Sequence, residues 1–155
     1  MRIIVISDSH GFEEGIRQVL NRRRGADLLI FLGDGYRDLE AIRYETNIPV
    51  KAVAGNGDFF CNAPLTEQMV LEGKRFFCTH GHMYHVKFGT ENLIKAAKEQ
   101  NTDILLYGHT HIVQNTYEDG MYILNPGSLK QGSFATIDLT DNGVFIFTDN
   151  LFSRS

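Results

Sequence analysis

The stretch Ile3-Ile4-Val5-Ile6-Ser7-Asp8-Ser9-His10-Gly11 decides how this chain is read. An apolar, mostly β-branched run with no polar alternation predicts a strand covered on both faces. It stops abruptly on an acid and a histidine. In an extended chain, residues two apart project to the same side, so the Asp8 carboxylate and the His10 imidazole are expected to converge past the strand end. One hard oxygen and one borderline nitrogen suit a divalent cation. Taken alone, the same triplet more often marks a turn followed by a surface histidine.

Working outward, Phe12, Ile16, Val19 and Leu20 recur at helical spacing, and Arg22-Arg23-Arg24 with Gly25 close that helix, the arginines complementing its negative end. A second apolar strand, Asp27 to Leu32, breaks at Gly33-Asp34-Gly35, and Leu39 and Ile42 suggest a short helix after it. A third strand, Val50 to Ala54, ends at Gly55-Asn56-Gly57-Asp58. This βαβαβ alternation argues for a parallel sheet covered by helices.

The middle of the chain changes character. Glu67–Leu71 and Arg75–Thr79 flank Glu72-Gly73-Lys74 as a hairpin, whose second strand terminates in His80-Gly81-His82. Thr90 is placed to cap a helix carrying Leu93, Ile94 and Ala97. Asp103 to Tyr107 is another buried strand and ends in Gly108-His109-Thr110-His111. Asp103–His111 repeats the layout of Asp27–Gly35, which hints at two similar stacked halves. From Val113 onward the chain reads as a strand meander, with turns at Asp119-Gly120 and Asp141-Asn142-Gly143 and a break at Asn125-Pro126-Gly127-Ser128. The expected fold is α/β, a two-sheet β-sandwich flanked by helices, formed by residues 1–155 as one domain.

Composition narrows the function. A chain of 155 residues with 43% hydrophobic and 22% charged residues has the profile of an ordinary globular domain. Its net charge of −4 offers no broad positive surface, so neither nucleic acid as a stable partner nor an anionic membrane is expected. The longest apolar run, Leu28 to Leu32, is too short to span a bilayer. Cys61 and Cys78 have no C-x-x-C spacing, which fits a reducing compartment, and a cytoplasmic location is expected.

The strand ends, taken together, carry the functional signal. Asp8, His10, Asp34, Asn56, His80, His82, His109 and His111 all follow apolar runs, and five of the six histidines belong to these motifs. Ligands of α/β sheets gather outside the carboxyl ends of the strands, so one rim is expected to collect these groups.

Asp8-Ser9-His10, Gly33-Asp34, Gly55-Asn56-x-Asp58, His80-Gly81-His82 and Gly108-His109-Thr110-His111 resemble the five blocks of the calcineurin-like metallophosphoesterases. With Asn125-Pro126-Gly127-Ser128 and the small size, the chain is similar to their compact bacterial and archaeal phosphodiesterase branch. The resemblance implies a four-layer α/β/β/α fold and two divalent metal ions. Asp8, His10 and His111 would hold the first ion, Asn56, His80 and His109 the second, with Asp34 bridging. Such a pair shares a hydroxide nucleophile and polarises a phosphoryl oxygen. Mn²⁺ is the expected ion, with Fe²⁺, Zn²⁺ and Ni²⁺ as alternatives.

Many members carry histidine where this chain has Gly57. The resemblance therefore points to small phosphodiesters more than to phosphomonoesters. His82 is a candidate to replace that histidine or to hold a metal-bound group, and Asp58 a candidate to orient His10 or a loop amide; with Asn56 they form the expected catalytic set. Phe59, Phe60, Tyr84 and His85 are expected near the substrate mouth, with Arg37 and Lys87 as phosphate contacts. A non-catalytic scaffold like the retromer subunit is the alternative on this fold, and association of identical copies is left open.

Overall fold

The computed structural model describes residues 1–153. In chain order the strands are β1 (Arg2–Ile6), β2 (Leu28–Phe31), β3 (Val50–Ala52), β4 (Thr66–Leu71), β5 (Lys74–Thr79), β6 (Ile104–Leu106), β7 (Gln114–Glu118), β8 (Met121–Asn125), β9 (Ser133–Thr140) and β10 (Gly143–Asn150). The helices are α1 (Glu13–Arg22), α2 (Tyr36–Ile42) and α3 (Glu91–Glu99). Two five-stranded mixed sheets form, ordered β10-β9-β1-β2-β3 and β4-β5-β6-β8-β7.

Strand β1 shows why the layers stack as they do. Ile3 and Val5 join Phe76, Cys78, Ile104 and Leu106 of the other sheet in the core between the sheets. Ile4 and Ile6 face the opposite way, onto Ile16 and Val19 of α1 and Leu39 and Ile42 of α2. All four β1 residues are fully buried, each worth about 1.5–3 kcal/mol of transfer free energy. The second sheet repeats the arrangement, with Phe77 and Leu105 turned toward Leu93 and Ala97 of α3. The result is the expected four-layer sandwich of helices, sheet, sheet and helix.

Three local expectations change. Leu71 pairs with Lys74, so the β4–β5 hairpin closes on the two residues Glu72 and Gly73. Their φ values of 48° and 76° are those of a tight primed turn, which matches strand twist. Thr90 does precede α3, but its side chain makes no capping bond. The meander after Val113 divides between the sheets: β7 and β8 close the second, whereas β9 and β10 complete the first beside β1. The Asn125–Ser128 segment makes that crossing.

Strands β1, β2 and β3 run parallel, as do β5, β6 and β8. The carboxyl ends of these strands therefore lie on one rim of the sandwich, where the chain's acids and histidines sit.

Candidate metal centre

Three of the strands feeding the rim, β1, β2 and β6, run into an unusual backbone conformation. Asp8, His10, Asp34, His109 and His111 have φ values of 55°, 41°, 59°, 71° and 63°, the left-handed region that residues with a Cβ avoid. Such strain clusters where surrounding structure holds a functional geometry in place. It also corrects the extended-chain argument for Asp8 and His10: they converge because the chain coils at both residues. His10 Nε2 lies 3.4 Å from Asp8 Oδ1.

Two groups of side chains form, Asp8 with His10 and His111, and Asp34 with His80 and His109. In the first, His111 Nε2 is 3.2 Å from both Asp8 Oδ1 and His10 Nε2. In the second, His80 Nε2 is 3.3 Å from Asp34 Oδ2 and 3.1 Å from His109 Nδ1. The groups abut, with His80 Nε2 3.8 Å from Asp8 Oδ1 and His10 Nε2 3.9 Å from Asp34 Oδ2. Each carboxylate turns one oxygen to hydroxyl or backbone donors and the other to imidazoles. Asp8 Oδ2 accepts from Ser7 Oγ at 2.5 Å and the His109 amide at 3.0 Å. Asp34 Oδ1 accepts from the Gly57 amide at 2.8 Å.

His80 tests whether this donor set fits a cation. Its Nδ1 lies 2.7 Å from the Leu32 carbonyl, which can only accept, so Nδ1 carries a hydrogen. The neutral ring then aims the Nε2 lone pair at the carboxylate of Asp34 and the nitrogen of His109. Several lone pairs meeting at one point need a positive charge between them, and a dication supplies it. The pKa shifts report the same field. Burial lowers the His80 value, but Asp34 and Asp8 overcome it and raise the net result. Burial also opposes ionisation of Asp34, yet His80 and the Gly57 amide hold its carboxyl at about 2. His109 is brought down to about 4 by burial and by the charges of His80 and Lys87.

The remaining predicted residues have different surroundings. Asp58 is not directed at His10: its carboxylate accepts the amides of Asp34, Gly35, Tyr36 and Gly55 at 2.7–2.9 Å. It ties the ends of β2 and β3 together and so positions Asp34. Asn56 sits in the exposed turn after β3, beside Gly57. Gly55 permits this close approach, since a Cβ there would lie 2.2 Å from Asp34 Oδ1. His82 packs against His80 and His109, with ring centroids 5.5 Å and 6.2 Å away, and its buried Nδ1 has no hydrogen-bond partner among the described residues. Burial and the charge of His80 lower its pKa.

Three further residues position the loops: Asp38, which the sequence reading missed, and Asn125 and Ser128, which it named only as parts of a tight turn that the resemblance places near the metals. Asp38 accepts from Ser9 Oγ at 2.6 Å and from the Gly11 amide at 2.9 Å, holding the Asp8–His10 loop. Asn125 donates to the Gly108 carbonyl and Thr110 Oγ1, and Ser128 Oγ donates to the Asp8 carbonyl at 2.8 Å. The Asn-Pro-Gly-Ser run was a visible signal for the last two. Asp38, inside a short helix, gave none.

An open cleft of about 860 Å³ adjoins the groups, lined by His10 and Asp34 on one side and by Tyr36, Arg37, Phe59 and Phe60 among others. Phe59 and Phe60 line this cleft, whereas Tyr84, His85 and Lys87 do not.

A family model described as "Calcineurin-like phosphoesterase superfamily domain" matches residues 1–142. The chain is 33% identical to the phosphodiesterase YfcE of Escherichia coli, over 93% of this chain and 89% of that protein. It is 32% identical to the probable metallophosphoesterase YsnB of Bacillus subtilis, over 84% and 76% respectively. Among solved structures, Vps29 of Entamoeba histolytica, crystallised with Zn²⁺, superposes with a TM-score of 0.82 over 100% of this chain and 95% of that one, at 22% identity. That last likeness concerns the fold alone.

Proposed function

The chain belongs to the calcineurin-like phosphoesterase superfamily, and from that premise we propose that it is a metal-dependent phosphodiesterase acting on small phosphodiesters. The observation that carries this reading is the pair of abutting carboxylate–imidazole groups, each with its own aspartate and two histidines. Asp8, His10 and His111 would hold one dication; Asp34, His80 and His109, with Asn56 from the adjoining turn, would hold the other. The chemistry such a pair of dications would supply there is Lewis acidity toward a phosphoryl oxygen and toward water. With no thiolate and mixed oxygen and nitrogen donors, the set suits Mn²⁺ as well as Fe²⁺, Zn²⁺ or Ni²⁺.

The protein's own contribution is preorganisation. The Leu32 carbonyl fixes the His80 tautomer, Asp58 and the Gly57 amide fix Asp34, and Ser7 and the His109 amide fix Asp8. Oriented in this way, the ligands need no rearrangement as charge develops. Gly57 offers no side chain to a leaving group, which favours diesters over monoesters with poor leaving groups. A purely structural scaffold has no need of polar bonds that hold acids and imidazoles in place, and nothing in the rim favours that reading.

The test is hydrolysis of bis(p-nitrophenyl) phosphate by metal-stripped protein with and without Mn²⁺, beside Asp34→Asn. Turnover should require the metal and fall at least about a hundredfold in the variant. Metal-independent turnover, or full activity in Asp34→Asn, would refute the reading.

A further inference from the structure

We propose that the cleft beside the metal centre is a seat for a nucleobase, so that the substrate class is a small nucleoside phosphodiester. This rests on the phosphodiesterase reading and narrows it. The cleft is continuous with the site, because His10 and Asp34 form part of its wall. At about 860 Å³ it is far larger than a phosphate group and lies in the range of sites that hold drug-sized molecules.

Its outer wall carries two aromatic rings that the core does not use. Phe59 is 78% exposed and Phe60 fully exposed. Phe60 is also held at a φ of 59°, which a bulky side chain disfavours, so the loop sustains backbone strain while presenting this ring to solvent. Exposed rings at a catalytic rim provide the flat faces on which bases stack. Tyr36 adds a third ring to the wall.

The charged groups of the cleft choose between a base and a plain hydrocarbon. Asp38 and Asp58 are occupied by hydroxyl and amide donors, and Glu40 pairs with Arg43 at 2.8 Å. Arg37 has no carboxylate or carbonyl partner among the described residues. Its planar fork of donors matches the carbonyl and ring-nitrogen acceptors on a base edge, which an alkyl or phenyl substituent lacks. With a net charge of −4, the protein favours a small diester over a polymer.

The experiment holds the leaving group constant and varies the other substituent. With Mn²⁺, kcat/KM for the p-nitrophenyl ester of thymidine 5′-monophosphate is compared with that for methyl p-nitrophenyl phosphate. The proposal expects at least about a tenfold preference for the nucleoside ester, the size of one base–aromatic stack, and a ratio near one in the Phe59→Ala/Phe60→Ala variant. Calorimetry supplies a readout independent of turnover: thymidine 5′-monophosphate should bind at least about tenfold tighter than methyl phosphate to the wild type, and the difference should vanish in the variant. Equal turnover and equal binding of the two compounds would overturn the nucleobase seat, as would a preference that survives loss of both rings. Binding preference without any turnover would instead uphold the seat and sink the phosphodiesterase reading.

Discussion

Single residues at this rim are defined by what holds them. His80 is fully buried, donates to a carbonyl behind it and faces two carboxylates and a second imidazole in front. On the proposed reading, a side chain so constrained offers its free nitrogen to a cation. His82 is different, since its buried Nδ1 has no partner and its pKa is lowered, first by burial and then by His80. At neutral pH it is therefore uncharged and poorly suited to deliver a proton to a leaving group. As a positioning residue packed on His80 and His109, it carries a specific prediction. His82→Gln should lower kcat about tenfold for p-nitrophenyl and alkyl leaving groups alike, read by steady-state kinetics on a matched pair of diesters. A loss confined to the poor leaving group would show that His82 acts as the acid instead.

At the scale of elements, the rim is assembled by segments that the strands merely deliver. The Asn125–Ser128 crossing fastens both the Asp8 loop and the Gly108–His111 loop while carrying the chain from one sheet to the other. Asn125→Ala removes two donated bonds and the Asn125 acceptor of the Gly127 amide, two of the three fully buried and the bond to Thr110 partly so. It should cost about 3 kcal/mol in chemical denaturation and weaken metal binding, because buried polar groups are left unpaired. An unchanged denaturation midpoint would contradict that role. The strands were legible in sequence because burial on both faces leaves continuous apolar runs such as Ile3–Ile6 and Leu28–Leu32. The ligands were legible because they sit where those runs stop. Asp38 was not, since a helical aspartate that accepts from Ser9 and Gly11 resembles any exposed acid until the fold brings the three together. The division of the last four strands between sheets was equally hidden, because it depends on pairing between distant segments.

For the whole molecule, folding creates an electrostatic field that, on the proposed reading, a cation would complete. The signs follow from His80 and Asp34. His80 has a raised value when folded, so in metal-free protein its stabilising contribution is present below 6.5 and is lost as pH rises through the raised value. Asp34, depressed to about 2, contributes above its ordinary value of 3.8 and loses that contribution only as pH falls toward 2. Above pH 6.5, then, metal-free protein should lose stability as the His80 proton leaves, while a dication would gain access to that nitrogen. The rise in Tm on adding Mn²⁺ should therefore be larger at pH 8 than at pH 6. A shift independent of pH would mean that His80 does not take part in metal binding.

The proposed chemistry needs two adjacent cation sites on one rim. Titration of metal-stripped protein with Mn²⁺, followed by calorimetry and by electron paramagnetic resonance on the same samples, tests it most directly. Two ions per chain with a spin-coupled signal are expected, reduced to one uncoupled ion in His109→Ala. One ion per chain in the wild type, or two ions without coupling, would contradict it.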